Sequence, residues 1–414
     1  MVYELKPPVD GSPGLLMFTH KERPFFFDPP APLEARLERL EEEYVLGAHW
    51  GRYHDDVGET PFVDFHMACP GTVDFRADAD VRRIPLCSRN FTPSYFRPMD
   101  VPVEWDVLSV GHPINVKRYG ELLEVIRMVF DAGVDLRVLL VCAVPDDPSK
   151  LGPKWDHGFF EKYESLFSDA ERERIDLAVP GEVQVGNRPV HPLPNEVFPY
   201  LYNASNCFTL FSREEGQSKV VHEALLCGTP VVVRENLKGG GRDYLDETNS
   251  LQFGSRKEAR DAFIEVAEAP DEHAFDPGHL RSELAEDEVA DRFEAEIAAM
   301  YEELGHEYRG EMEKTDLAFK FTGHTITLPR ELRRENTNDL RSREAMVRYV
   351  DDLLGRSTGV GDRLTAKRAD AEHRLEALRA GGVTNIAGTG LAAVERYTPL
   401  PAYTVAKRAR DRLR

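Results

Sequence analysis

The stretch from Asn206 to Phe253 constrains the fold of this chain most, because two short apolar runs flank one helical pattern within it. Cys207 to Phe211 is short enough for a buried strand, and Val231 to Val233 is a second run of this kind. Between them, a polar loop leads into a helical pattern from Ser218 to Leu226. A Gly-Thr-Pro sequence ends this helix, since glycine suits the position after a helix and proline cannot continue it. The stretch therefore predicts a strand–loop–helix–strand unit with a right-handed crossover.

Two glutamates stand on either side of the predicted loop–helix junction. Glu215 lies in the loop after the first strand, and Glu223 lies eight positions later inside the helix, flanked by apolar residues. A carboxylate in a half-buried helix is costly unless another group pairs with it. The start of the helix offers free backbone N–H groups and the positive end of the helix dipole, which together favour an anion. We therefore predict an anion-binding site between the glutamates, formed by Gly216, Gln217, Ser218 and Lys219.

The letters from Glu215 to Leu225, EGQSKVVHEAL, and the nearby CGTPVV resemble the donor-binding motif of retaining GT-B glycosyltransferases. In that family two glutamates are separated by seven residues. The pair alone is common in acidic chains, but the accompanying letters in register make the match specific. The resemblance implies a GT-B-like α/β fold and a sugar nucleoside diphosphate as donor, with no bound cation or other cofactor. It also implies that Glu215 meets the donor sugar in catalysis, that Glu223 holds the ribose hydroxyls, and that the glycine-containing turn faces the diphosphate.

A second strand–helix–strand unit is predicted between Trp105 and Asp147. Its first loop, GHPINVKR, resembles the first C-terminal-domain loop of the same family, where an Arg is followed five residues later by a Lys. Lys117 matches the Lys, whereas His112 stands where the family has Arg. Arg binds phosphate through two hydrogen bonds at once, whereas His is charged only when protonated, so Arg118 is a candidate to compensate. The resemblance therefore implies donor-binding roles for Gly111 and His112, and catalytic roles for Lys117 and Arg118.

Three regions are expected along the chain. Residues 1–100 are predicted to form a reduced acceptor-side region and linker, 101–303 a Rossmann-like nucleotide-sugar-binding domain, and 304–414 a helical extension. The resemblance covers residues 84–303, beginning with an I-P segment that is similar to the interdomain linker of the family. Acceptor domains of this family are full Rossmann-like domains, but only residues 1–83 precede the linker-like segment here. The N-terminal region is therefore expected to be short or incomplete.

Local patterns predict further elements. Apolar runs at Leu15 to Phe18 and Phe25 to Phe27 favour short strands, and Pro32 to Tyr44 is typical of an amphipathic helix. Phe159 to Ile175 is a charged helical pattern, followed by an irregular stretch. The turn from Gly239 to Gly241 is either a simple glycine turn or similar to the G-G loop of the family, which closes over the donor.

The balance of charge limits the partners. The 414 residues include 73 acidic and 52 basic side chains, for a net charge of −21, which argues against nucleic acid as substrate. The acidic excess is either an ordinary soluble surface or a halophilic adaptation, and the small number of lysines, 13 against 39 arginines, favours the second. The segment from Tyr397 to Arg414 is basic, which fits either a solvated helix or a peripheral contact with an anionic membrane.

The sequence also bears on the compartment. No apolar run approaches the ~20 residues of a membrane span, and the first residues lack the features of a signal peptide. The five cysteines are dispersed without a C-x-x-C pair, so we expect free buried thiols rather than a disulfide or a zinc site. A cytoplasmic protein is therefore predicted.

Taken with the resemblance, these patterns predict a retaining glycosyltransferase that acts on a glycan, lipid-linked or small-molecule acceptor. One alternative is a non-catalytic subunit, because the acceptor region looks short and His112 replaces the Arg of the family. Another is a GT-B relative that epimerises or phosphorolyses its sugar. The active-site His of the family has two candidate matches, His66 and His20, but a lone His is more often structural.

Overall fold

A computed structural model describes most of the chain. The described residues are 2–19, 22–27, 29–51, 54–142, 153–178, 183–185, 188–190, 193, 197–314, 317–322 and 343–355. They form two compact units, one within Met1–Phe91 and Glu286–Gly388, the other within Thr92–Ala285. No helix in this part of the chain is both long and apolar enough to cross a membrane.

Both units contain strands and helices. The strands are β1 (Val2–Lys6), β2 (Gly14–Thr19), β3 (Tyr44–His49), β4 (His54–Val57), β5 (Phe65–Met67), β6 (Val73–Phe75), β7 (Arg82–Ile84), β8 (Trp105–Gly111), β9 (Val138–Cys142), β10 (Ile175–Ala178), β11 (Val183–Val185), β12 (Arg188–Val190), β13 (Ser205–Leu210), β14 (Glu214–Gln217), β15 (Val231–Arg234), β16 (Lys238–Gly240) and β17 (Ser250–Phe253). The helices are α1 (Arg23–Phe26), α2 (Ala31–Glu41), α3 (Tyr119–Asp131), α4 (Phe159–Leu166), α5 (Asp169–Arg172), α6 (Phe198–Asn203), α7 (Lys219–Leu226), α8 (Arg256–Glu268), α9 (Arg281–Leu284), α10 (Glu286–Glu303), α11 (Leu317–Thr322) and α12 (Arg343–Gly355).

The first unit is built on a sheet in the order β1-β2-β3-β5-β7, in which β1 is antiparallel to β2 and the other neighbours are parallel. Successive residues of a strand point to opposite faces, and both faces of β2 are buried. Leu15 and Met17 pack with Phe293 of α10, whereas Leu16 and Phe18 pack in a cluster with α2 and α12. Helices that follow the second unit in the sequence therefore complete the core of the N-terminal sheet.

The second unit contains six parallel strands in the order β10-β9-β8-β13-β15-β17. Chain order runs outward in both directions from β8 and β13, which is the doubly wound arrangement of nucleotide-binding sheets. One face is covered by α3, α4 and α8, and the other by α6 and α7. The predicted parallel sheet over residues 100–300 is confirmed, and two units with mainly parallel sheets fit the predicted GT-B-like α/β fold class.

The central stretch folds nearly as expected. β13, α7 and β15 occupy the predicted strand, helix and strand. The intervening loop was predicted without regular structure, but it contains β14, which pairs in parallel with β16. This short pairing brings the glycine turn at 239–241 alongside the residues of the predicted anion site.

Three local predictions were wrong. Phe25 to Phe27 is not a strand, because α1 ends at Phe26, whose buried ring stacks on Phe18 with centroids 3.8 Å apart. The helix expected to reach Tyr44 ends at Glu41, and Tyr44 begins β3. The helix expected from Phe159 to Ile175 is interrupted at Ser168.

The interruption at Ser168 has a local cause. The backbone N–H and the hydroxyl of Ser168 both donate to the carboxylate of Glu171, at 2.9 and 2.8 Å, and this capping interaction starts the new helix α5. Ile175 then opens β10, which pairs in parallel with β9 at the edge of the sheet. A strand thus stands where the sequence suggested an irregular stretch.

The compact units do not coincide with the three predicted regions 1–100, 101–303 and 304–414. Helix α10, placed at the end of the nucleotide-binding region by the sequence, packs in the core of the first unit. Much of the predicted extension, including the glycine-rich segment 381–390 and the basic segment 397–414, lies outside the described residues.

The expectation of free thiols holds for three cysteines only. Cys142, Cys207 and Cys227 are free and buried, whereas Cys69 and Cys87 form a disulfide with their Cα atoms 5.3 Å apart. Cys69 follows β5 and Cys87 follows β7, which are neighbouring parallel strands. The prediction failed because this adjacency depends on the fold and has no trace in the spacing of the two residues.

Candidate functional site

The candidate site lies at the point where the strand order of the second unit reverses. The loops after β8 and β13 lead to helices that cover opposite faces of the sheet, α3 on one side and α7 on the other. In open α/β sheets, ligands bind at the carboxyl ends of the strands in the crevice at such a switch point. The sequence-predicted residues lie on these two connections: Gly111, His112, Lys117 and Arg118 on the first, Glu215 to Glu223 on the second.

Lys117 and Glu215 join the two connections directly. Nζ of Lys117 lies 2.5 Å from Oε1 of Glu215, and the two side chains are only 17% and 12% exposed. The prediction that they face each other is confirmed. The ammonium group carries three protons, so its contact with Glu215 leaves donors for an anion in the crevice.

Gly239 holds the segment around Glu215 in place. Its φ of +96° lies in a region that side chains rarely adopt, and a Cβ on it would lie 1.6 Å from the carbonyl oxygen of Glu215. Only glycine permits this approach of β16 to β14. The sequence left two interpretations of the turn open, and the structure shows that it packs against the backbone of Glu215. A role in closing over a donor stays a prediction.

Two buried hydroxyls lie on either side of β14, where Gly216 and Gln217 are found. Ser212 follows β13 and is fully buried, and Ser218 is the N-cap residue of α7 and is 2% exposed. Within the described part of the chain, the Oγ atoms of both serines have no hydrogen-bond partner. A buried hydroxyl without a partner costs about 1–3 kcal/mol, so both atoms are candidates to bind a ligand. Sequence reasoning found Ser218 but missed Ser212, whose only signal is its position at the end of a strand.

Glu223 is buried but paired. Its side chain is 5% exposed, Oε2 accepts a hydrogen bond from the hydroxyl of Tyr202 at 3.0 Å, and Oε1 lies 3.1 Å from Nζ of Lys219. Burial, together with the neighbouring Glu223 carboxylate, raises the pKa of Tyr202, so this hydroxyl keeps its proton and donates. Lys219, predicted to face an anion, is thus also the counter-ion of Glu223. Tyr202 was not predicted, because it comes from α6 and meets Glu223 only in the fold.

The first connection is held by neighbouring segments. A Cβ on Gly111 would lie 3.3 Å from the hydroxyl oxygen of Tyr119, which leaves little room for a side chain. His112 makes an edge-to-face contact with Trp155, with ring centroids 5.8 Å apart. Arg118 donates through Nε to Oε2 of Glu121 at 2.6 Å. A phosphate contact of Arg118 stays a prediction.

Two further expectations concern histidines and metals. In the first unit His66 is 1% exposed and accepts a hydrogen bond at Nδ1 from the indole N–H of Trp50, at 2.9 Å. Burial and the nearby Arg83 lower the pKa of His66 to about 4, which fits a neutral structural residue. The other candidate, His20, lies outside the described residues. Among those that are described, no cluster of His, Cys, Asp and Glu is arranged to hold a metal ion.

Comparison with known proteins finds similar structures but no similar sequences. No protein-family model matches the sequence. A search of curated proteins also finds no match. Among solved structures, the chain is similar to TarM with a TM-score of 0.49 and 10% identity, over 69% of this chain and 54% of that one. It is similar to sucrose-phosphate synthase from Thermosynechococcus elongatus with a TM-score of 0.46 and 15% identity, over 70% of this chain and 73% of that one.

A third similar structure is the pneumococcal O-GlcNAc transferase GtfA in complex with UDP and GlcNAc. The TM-score is 0.44 and the identity 10%, over 64% of this chain and 54% of that one. The chain therefore spans little more than half the length of TarM and of GtfA.

Proposed function

We propose that this chain is a retaining glycosyltransferase that transfers a sugar from a nucleoside diphosphate to a glycan, lipid-linked or small-molecule acceptor. The observation that carries the proposal is the ion pair between Lys117 and Glu215, 2.5 Å long, at the switch point of a doubly wound sheet. Glu215 lies three residues before Ser218, the N-cap residue of α7, whose hydroxyl has no hydrogen-bond partner among the described residues, so the pair stands on the connection that leads into this helix.

In the proposed reaction the bond between the anomeric carbon and the diphosphate oxygen breaks, and a bond to the acceptor oxygen forms on the same face of the sugar. The acceptor proton passes to the leaving phosphate, so no separate side-chain base is needed. Negative charge grows on the diphosphate as the bond breaks, and preorganised donors lower the energy of that state. Lys117 and the start of α7 supply such donors, and Glu215 faces the positive charge that develops on the sugar.

Glu223 is proposed to bind the ribose of the donor. Each carboxylate oxygen accepts more than one hydrogen bond, so the contacts with Tyr202 and Lys219 leave acceptor capacity for the ribose hydroxyls. We propose no metal ion and no cofactor beyond the donor itself. A cytoplasmic location and a peripheral membrane contact through the basic segment 397–414 are further parts of the proposal that rest on the sequence alone.

One observation favours a second candidate function. His112 stands where the resembling family has a phosphate-binding Arg, and its ring is engaged by Trp155. A non-catalytic subunit that binds a nucleotide-sugar without turnover would tolerate this replacement. An epimerase or phosphorylase is distinguished by its substrates, since an epimerase converts the donor with no acceptor present.

The proposal is tested by measuring the melting temperature in high salt with UDP, ADP, GDP and their sugar derivatives. At least one diphosphate is expected to raise it for the wild type and for Lys257→Met, in which an exposed lysine of α8 is replaced. The same nucleotide should raise the melting temperature of Lys117→Met by less than that of the wild type. Turnover with an acceptor panel then separates a transferase from a binding subunit, and no shift with any nucleotide would contradict the proposal.

A further inference from the structure

A carboxylate of α3 links the two loops of the candidate site, the one after β8 and the one after β13, through two arginines. Glu121 is 10% exposed, and its Oε2 accepts the hydrogen bond from Arg118. Its Oε1 pairs with the guanidinium of Arg234 at the end of β15, and Arg256 lies 3.6 Å from the same oxygen. Although burial raises the pKa of Glu121, the guanidinium groups of Arg234 and Arg118 bring it below its ordinary value, so the carboxylate is ionised at neutral pH.

Arg234 extends this connection to the second loop. Its side chain is 5% exposed, and Nε donates to the carbonyl oxygen of Phe211 at 3.1 Å. The guanidinium also lies over the ring of Phe253, 5.2 Å from the centroid. Phe211 follows β13 and begins the segment that leads to Glu215, so Arg234 ties this segment to Glu121.

Arg118, at the end of the loop after β8, has an unfavourable backbone conformation. Its φ of 54° and ψ of 37° are left-handed, which is costly for a residue with a side chain. Such a conformation persists only where the surroundings impose it, and it often marks a functional site. The hydrogen bond to Glu121 holds Arg118 there, directly after Lys117.

We propose that Glu121 is a positioning residue of the donor site: through Arg118 and Arg234 it sets the two loops so that Lys117 meets Glu215 and the bound diphosphate. The diphosphate part of this inference rests on the proposed function. Glu121 itself touches neither Lys117 nor Glu215 and acts through the two arginines. Its loss leaves the buried guanidinium of Arg234 without a carboxylate to balance its charge, which favours movement of the segment after β13.

The chain offers a matched control one turn further along α3. Glu124 pairs with Lys162 of α4 and Arg256 of α8, and its side chain is 28% exposed. It carries ion pairs of the same type on the same helix, but to helices rather than to the two loops. Glu124→Gln therefore measures the effect of losing a carboxylate of α3 without the proposed connection.

A first experiment needs no ligand. Hydrogen–deuterium exchange is measured for residues 112–118 and 211–217 in the wild type, Glu121→Gln and Glu124→Gln. Glu121→Gln is expected to speed exchange in both loops by roughly tenfold. Glu124→Gln is expected to leave the exchange of both loops unchanged. Unchanged loops, or a uniform rise across the whole sheet, would overturn the proposal, since the second result is that of a purely structural residue.

A second experiment uses the affinity for UDP, ADP and GDP. Glu121→Gln is expected to weaken binding of the preferred nucleotide by roughly tenfold, with Glu121→Asp between it and the wild type. In a Lys117→Met background the same change should have no further effect, because residues that act through one another are not additive. Equal losses in both backgrounds would overturn the positioning role. If the wild type binds none of the three nucleotides, the proposed function fails, and the exchange experiment alone decides the role of Glu121.

Discussion

The carbonyl oxygen of Glu215 occupies the space that a side chain on Gly239 would need, because a Cβ at that position would lie 1.6 Å away from it. This approach pairs β16 with β14 and fixes the backbone from which the Glu215 side chain reaches Lys117. The turn at 239–241 is thus part of the support of the candidate site.

Gly239→Ala is expected to destabilise the chain and to weaken nucleotide binding. The matched control is Gly133→Ala, because Gly133 also has a positive φ, +80°, but a Cβ there meets nothing within 4 Å. The control should cost about 1 kcal/mol, from the backbone conformation alone. Gly239→Ala should cost about 1–3 kcal/mol more, from the clash with Glu215. Equal free energies of unfolding for the two variants would contradict the close packing of the turn.

The stability of the first unit should fall in acid because of His66. Its pKa is lowered from 6.5 to about 4 in the folded state, so the unfolded chain binds the proton more readily. The contribution of neutral His66 is therefore complete above pH 6.5 and is lost as the pH falls toward 4, by up to about 3 kcal/mol.

This pH dependence is measured by chemical denaturation followed by tryptophan fluorescence, since Trp50 donates to His66. His66→Gln should flatten the fall in stability between pH 6.5 and pH 4, whereas replacing the exposed His306 by Gln should not. An identical pH profile for His66→Gln and the wild type would show that His66 does not titrate as its burial implies.

Salt should stabilise the folded chain if its acidic excess is an adaptation to high salt. With 73 acidic and 52 basic residues, like-charge repulsion dominates at low ionic strength, and added salt screens it. The melting temperature is expected to rise as KCl is raised from low to molar concentration. A flat or falling melting temperature over that range would remove the halophilic interpretation.

The core of the candidate site was predictable because its signals are local. Buried strands, a helix start and the residues that follow each strand can be recognised in short windows, and parallel strands bring their carboxyl ends to one edge. Lys117 and Glu215, 98 residues apart, were therefore expected to face each other, and they do.

The remaining features depend on contacts between distant parts of the chain. The packing of α10 and α12 on the N-terminal sheet, the pairing of Cys69 with Cys87 and the link from Glu121 to Arg234 leave no periodic pattern in the sequence. The capping box of Ser168 and Glu171 is a local signal for a new helix start, but it lies inside a charged helical pattern that continues on both sides of it. The long-range features decide which residues support the site, whereas the local signals decide where it lies.

We propose that Glu215 and Glu223 bind different parts of one donor. In that case Glu223→Gln removes a charged acceptor from the ribose, which is common to the free nucleoside diphosphate and the sugar nucleotide. The affinity of this variant for each of the two ligands should fall about ten- to a hundredfold, since a hydrogen bond to a charged group contributes about 1.5–3 kcal/mol. Glu214→Gln is the control, because Glu214 is the exposed neighbour of Glu215 in β14.

The most direct measurement compares nucleoside diphosphate affinity and donor turnover for Glu215→Gln, Glu223→Gln and Glu214→Gln. Glu215→Gln should leave nucleoside diphosphate affinity nearly unchanged and lower turnover by more than it weakens donor binding, as expected for an interaction made in the transition state. Glu223→Gln should lower the affinity for both the nucleoside diphosphate and the donor, and Glu214→Gln should lower neither affinity. Full transfer activity of both Glu215→Gln and Glu223→Gln would contradict the assignment of this stretch as the donor site.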